Sequence, residues 1–144
     1  MVEKKTLSNH VIVCGYGRVG EKVVDVLSEN NISFIIVEMN AEKAAALRER
    51  GYNVLQGDAT MLSILKAASV ITARAIAIVM DDDAKNLFTV LTARDINKNI
   101  FIATRANDAF LREKLIEAGA DFVVMPQKSA SHEILRELGL NKDQ

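Results

Sequence analysis

Short apolar runs rich in β-branched residues alternate with longer segments of helical period along the whole chain. Runs at 10–14 (HVIVC), 33–38 (SFIIVE), 53–56 (NVLQ), 75–80 (AIAIVM), 100–103 (IFIA) and 121–125 (DFVVM) predict six strands. Several are apolar at consecutive positions, as strands covered on both faces require. The intervening segments predict helices at about Val19–Glu29, Ala41–Arg50, Leu62–Ala68, Ala84–Asn97, Ala109–Ala118 and Ser129–Leu138. In the first, Val19, Val23, Val26 and Leu27 form one apolar stripe, the expected buried face. Strands regularly interleaved with helices imply βαβ units and a parallel sheet. The expected fold is α/β, a Rossmann-type doubly wound six-stranded parallel sheet of order 3-2-1-4-5-6 in three α/β/α layers, with a flavodoxin-like order as the alternative. In either order ligand binds beyond the carboxyl ends of the strands, next to strand one.

Gly15-Tyr16-Gly17-Arg18-Val19-Gly20 is a GxGxxG motif directly after the first strand, opening the first helix. In that context the glycines serve a tight turn, close approach of backbone to a pyrophosphate, and close helix–strand packing. Free N–H groups at the helix start and the helix dipole then favour phosphate, and Arg18 adds a charged donor. Glu38 ends the second strand eighteen residues after Gly20, where a carboxylate accepts from both ribose hydroxyls. It would repel a 2′-phosphate, and Met39 and Asn40 beside it supply no neutralising charge, so NADP is disfavoured.

Further along, Gly57-Asp58-Ala59-Thr60 precedes the third helix, so Asp58 or Thr60 either caps that helix or contacts adenosine. Val79, Met80 and Asp81 end the fourth strand beside the expected phosphate position, and Arg105, just past the fifth, returns to the same crevice. The run Asp81-Asp82-Asp83 reads as acids at a helix start, with a divalent-metal cluster as the alternative; no metal site is assigned. His10 lies at the opposite end of strand one, His132 on the last helix, and Cys14 in a buried strand. None of them forms an acid–base set for hydride transfer, so no catalytic residue is assigned.

Composition narrows the classes. The 144 residues carry 18 basic and 19 acidic side chains, net −1, and 49% are hydrophobic. A near-neutral balance offers no broad attraction to nucleic acid or anionic lipid. One cysteine excludes an internal disulfide and fits a reducing compartment. The opening MVEKKTLSNHVIVCGYG reads neither as signal peptide nor as anchor, and no run reaches the ~20 apolar residues that span a bilayer. No linker composition interrupts the chain, so residues 1–144 read as one nucleotide-binding domain.

The ordered set HVIVCGYGRVG, FIIVE, VLQGDAT, AIAIVMDDDAKN, IFIATRA and AGADFVVMP resembles the TrkA-N, KTN or RCK domain, the nucleotide-binding regulatory domain of potassium transport. The resemblance covers about residues 9–138. It implies a cytoplasmic, non-catalytic domain that binds NAD(H), with ATP/ADP the alternative, and gates a membrane-embedded potassium channel or transporter. It further implies that Gly15, Tyr16, Gly17, Arg18, Val19 and Gly20 carry pyrophosphate. Glu38 and Met39 would hold the adenosine ribose, Asp58 and Ala59 border the adenine, and Val79, Met80, Asp81 and Arg105 complete the site. Calcium-gated relatives place carboxylates at the end of the fifth strand, where this chain has Thr104 and Ala106, so calcium gating through that position is not expected. Homodimers or larger rings are implied as well, with Ile134, Leu135 and Leu138 of the last helix contributing. The family's C-terminal lobe is not in the chain, which is then either a short protein or a piece of a longer one. A small NAD-dependent oxidoreductase subunit completed by a partner is the alternative function.

Overall fold

The computed structural model describes residues 7–140. Strands β1 (Val11–Cys14), β2 (Phe34–Glu38), β3 (Val54–Gln56), β4 (Ala75–Ile78), β5 (Phe101–Arg105) and β6 (Phe122–Val124) alternate with helices. These are α1 (Arg18–Glu29), α2 (Ala41–Glu49), α3 (Leu62–Ala67), α4 (Asp83–Ile96), α5 (Ala109–Ala118) and α6 (Pro126–Glu137). The strands form one parallel sheet of order β3-β2-β1-β4-β5-β6, which is the Rossmann order and excludes the flavodoxin-like one.

Three element ends differ from the sequence reading by two residues or more, each for a tertiary reason. β4 stops at Ile78 rather than Met80 because the Asn86 side chain takes both the N–H and the C=O of Met80. β5 runs on to Arg105 because β6 pairs with it there, Arg105 opposite Val124. α6 starts at Pro126, three residues earlier than Ser129, since the first helical position needs no N–H and suits the fixed φ of proline.

The expected stripe of α1 holds in part: Val19, Val23 and Leu27 pack half-buried against the core, and Val26 does not. Gly20 and Val24 are the buried residues of this helix, while Val26 is 56% exposed. A Cβ on Gly20 would collide with the Gly15 carbonyl oxygen, so its absence lets the helix settle on the line from Gly20 to Val24, one turn apart.

The two faces of the sheet are covered unequally. One face carries α3, α4 and α5 over Ile12, Cys14, Ile35, Val37, Ile76, Ile78, Ile102 and Val123. On the other, α1 and α2 cover only the β1–β3 half, around Val13, Ile36 and Val54. Register carries that second face outward, from Val11 and Val13 to Ala75 and Ala77, then Phe101 and Ala103, then Phe122. There Phe101 is 51% and Phe122 55% exposed. α6 does not cover this half, for every residue from Gln127 to Leu140 is exposed. Among the described residues no helix is long and apolar enough to cross a membrane.

Candidate nucleotide-binding site

The site is built where β1 turns into α1. Gly15 has φ +97°, a conformation that side chains rarely adopt, and a Cβ there would stand 2.9 Å from Met80 Cγ. The turn hands the chain to α1 with Gly17 as N-cap and no side chain capping it. Asn40, Asp82 and Asp108, by contrast, accept from backbone N–H groups at the starts of α2, α4 and α5. A helix start left open beside a glycine turn is an anion position.

Next to this turn lies a cleft of about 230 Å³ lined by Gly15, Val37, Glu38, Met39, Gly57, Asp58, Ala59, Met80, Asp81, Asp82 and Lys85. That is below the roughly 300–1,000 Å³ usual for drug-sized ligands, so the cleft has room for only part of a ligand of that size. Glu38 is nearly buried at the end of β2, and its Oε2 accepts from the Asn40 N–H at 2.9 Å, which fixes the carboxylate at the cleft wall.

Asp58 does not cap α3; that helix begins at Leu62 after Met61, without a side-chain cap. Instead Asp58 Oδ1 accepts from the Thr60 hydroxyl at 2.7 Å and the Thr60 N–H at 2.9 Å. These two bonds hold its carboxyl below the usual range, so it lines the cleft ionised.

The three consecutive acids turn to three different partners. Asp81 accepts from Arg105 Nη1 at 3.4 Å, Asp82 from the Lys85 N–H at 3.0 Å, and Asp83 from Asn107 Nδ2 at 3.1 Å. Among the described residues no group of three or more His, Cys, Asp or Glu could hold a metal ion.

Seven of the fourteen candidates thus meet in the cleft: Gly15, Glu38, Met39, Asp58, Ala59, Met80 and Asp81. Gly17 and Arg105 join them through Asp81, whose Oδ2 would be 3.2 Å from a Cβ on Gly17. The others stand beside it. Tyr16 faces α2, its hydroxyl accepting from Arg50 Nη1 at 3.4 Å, and burial pushes its phenol up. Val79 is buried under α1 against Gly20. Arg18 and Val19 line an open apolar groove of about 540 Å³ on the outer side of α1, with Lys22, Val23, Val26 and Leu27.

Two residues of α4 escaped the sequence reading. Lys85 lines the cleft with its Nζ 3.7 Å from Met39 Sδ. A cation in the first turn opposes the helix dipole, and that misplacement is the signal that could have found it. Asn86 is fully buried; its Oδ1 accepts from Met80 N–H at 3.0 Å and its Nδ2 donates to Met80 C=O at 2.8 Å, pinning the floor. His10 lies at the other end of β1, where Nε2 donates to Ala68 C=O at 2.8 Å. His132 is exposed on α6. Burial pushes the Cys14 thiol up to about 12, so it is neutral.

Residues 11–126 match the TrkA-N domain family. The chain belongs to that family. Potassium channel protein 1 of Methanocaldococcus jannaschii is 37% identical over 141 residues, which are 96% of this chain and 42% of that protein. The Trk system potassium uptake protein TrkA homolog of Pyrococcus horikoshii is 30% identical over 135 residues, 90% of this chain and 59% of that one.

Among solved structures, the TrkA-N domain of the Escherichia coli inner membrane protein ybaL superposes with a TM-score of 0.87 at 28% identity, covering 92% of this chain and 98% of that one. The GsuK channel bound to NAD gives 0.77 at 26%, covering 85% and 22%. GsuK bound to ADP gives 0.75 at 27%, covering 82% and 31%. The TrkA-N chain therefore spans less than two thirds of the potassium-transport proteins it matches.

Proposed function

We propose that this TrkA-N chain is a nucleotide-sensing regulatory domain of a potassium channel or potassium uptake system, on the cytoplasmic side. It takes NAD(H), with ATP or ADP as the alternative, and has no catalytic role. The observation that carries the reading is the uncapped start of α1 over the Gly15 turn, facing the Glu38 carboxylate at the end of β2. The first suits a pyrophosphate and the second a ribose diol. Bound nucleotide in a related channel supports the same assignment. Gly15, Gly17, Gly20 and the N–H groups of Arg18 and Val19 hold phosphate. Glu38 and Met39 hold the ribose, Asp58 and Ala59 flank the base, and Tyr16, Val79, Met80, Asp81 and Arg105 shape the rim and floor. Residues 1–144 act as one nucleotide-binding unit.

Regulation needs a partner and two arrangements, because ligand shifts an equilibrium only through unequal affinity for its two states. The partner is a membrane-embedded potassium channel or transporter subunit, and a second copy of this chain completes the assembly. The bare β4–β6 half-face and the exposed α6 support the second copy. α6 presents Ile134 and Leu138 beside Glu133 and Glu137, while the groove on α1 presents Val19, Val23 and Val26 beside Arg18 and Lys22. Apolar surface and opposite charge match between them.

Thermal unfolding with and without nucleotide tests the binding step. At 100 times its Kd a ligand adds about 2.7 kcal/mol and raises Tm, and Glu38→Ala should lose most of that gain. If none of NAD, NADH, ADP or ATP at millimolar concentration raises Tm, the assignment fails.

A further inference from the structure

Asp81 occupies an unexpected place for an acid. One carboxylate oxygen, Oδ2, lies 3.2 Å from the position of a Cβ on Gly17, and the other accepts from Arg105 at 3.4 Å. Its side chain is 83% exposed, whereas that of Arg105 is only 15% exposed. The carboxylate therefore stands over the glycine that caps α1 and engages the largely buried guanidinium of Arg105. From this geometry we infer that Asp81 is a charge gauge, an internal anion that disfavours terminal phosphate groups and so selects dinucleotides, whose phosphates each carry a single charge, over ADP and ATP.

The inference rests on the nucleotide reading given above and sharpens it to a ligand class. A ligand phosphate seated on the open N–H groups of α1 must lie beside the Asp81 carboxylate. It must also share Arg105 with it or take it away. Each phosphate of a dinucleotide carries one ester and one anhydride bond and so has one negative charge. A terminal phosphate carries close to two, so ADP brings one more negative charge than NADH to this mouth, and ATP two more. The Asp81 side chain is exposed and makes one long contact, so a water-like dielectric applies. One extra unit charge about 5 Å from a carboxylate in water then weakens binding about fourfold. Salt screens this over a distance of about 10 Å at 0.1 M. Asp83 is turned away to Asn107 and serves as the control, whereas Asp82 lines the cleft but is tied to the start of α4 through the Lys85 N–H rather than to Gly17 or Arg105.

Isothermal titration of the whole chain with NADH, ADP and ATP at low ionic strength, without metal ions, tests it in the wild type, Asp81→Asn and Asp83→Asn. Asp81→Asn keeps the size of the side chain and removes the charge at an exposed position. The expected result is a graded gain in affinity, smallest for NADH, about fourfold larger for ADP and larger again for ATP, flattened by 0.5 M salt. Asp83→Asn should show much less of this gradient. Equal gains for the three ligands in Asp81→Asn, no gain at all, or the same gradient in Asp83→Asn would each overturn the role of Asp81 while leaving nucleotide binding intact. Absence of binding by all three ligands to every protein would overturn the nucleotide assignment itself and the gauge with it.

Discussion

The two faces of the sheet share strands but not fates. On one, α3, α4 and α5 close over a continuous apolar layer that includes fully buried Ile76, Ile102 and Leu115. On the other, α1 and α2 cover one half and leave Phe101 and Phe122 exposed on the second. A doubly wound sheet has no elements beyond its crossovers to cover that half, and α6, which follows β6, projects without burying a residue. The closed face holds the continuous core, and the half-open face carries the glycine turn, the groove on α1 and the exposed Phe101 and Phe122.

The largest effect belongs to the closed face. Leu115→Ala removes a fully buried side chain and should cost about 2–5 kcal/mol by urea denaturation; a cost near zero would dissolve the contrast between the faces. Gly20→Ala strikes the covered half of the other face, where the new Cβ meets Gly15 C=O. It should cost about 1–3 kcal/mol as overpacking and abolish nucleotide-dependent stabilisation in the same melt.

Cys14, beneath the closed face, gives a pH-dependent test. Its thiol stays protonated in the fold up to about 12, against 9.0 ordinarily. Because the folded value is raised, the contribution is complete below pH 9 and is lost as pH climbs from 9 towards 12. The wild type should therefore lose on the order of 1 kcal/mol per pH unit more than Cys14→Ala across that window.

The smallest effect on stability is expected from the bare half. Phe101→Ser with Phe122→Ser should change monomer stability by no more than about 0.5 kcal/mol and yet weaken self-association, measured by sedimentation over a concentration series. An equal loss of stability on both faces would mean that the exposed phenylalanines serve the monomer.

Strand order and the place of the candidate cleft were legible because they follow from local signals. A glycine motif between a strand and a helix, and an acid at the end of the next strand, mark the ligand end of a parallel sheet without any knowledge of packing. What escaped depends on partners distant in sequence. The end of β4 is set by the amide of Asn86, and the length of β5 by β6. The stripe Val19-Val23-Val26-Leu27 has the right period, yet the line of contact follows Gly20, which no hydrophobicity pattern can score. Lys85 and Asp81 look like ordinary solvated charges until the turn brings them to the cleft, and Asp58 pairs with Thr60 instead of capping α3.

The projecting α6 also has a mechanical meaning. Twelve residues of helix reach about 18 Å, held to the sheet at one end only. Its root is Pro126, whose ring restricts φ, directly after the short strand β6 on the sheet edge. A tilt of about 10° at that root would carry the tip through about 3 Å, taking the length from the usual rise per residue. A stiff rod on a sheet edge thus converts small rotations at its root into displacements of several ångströms at its tip.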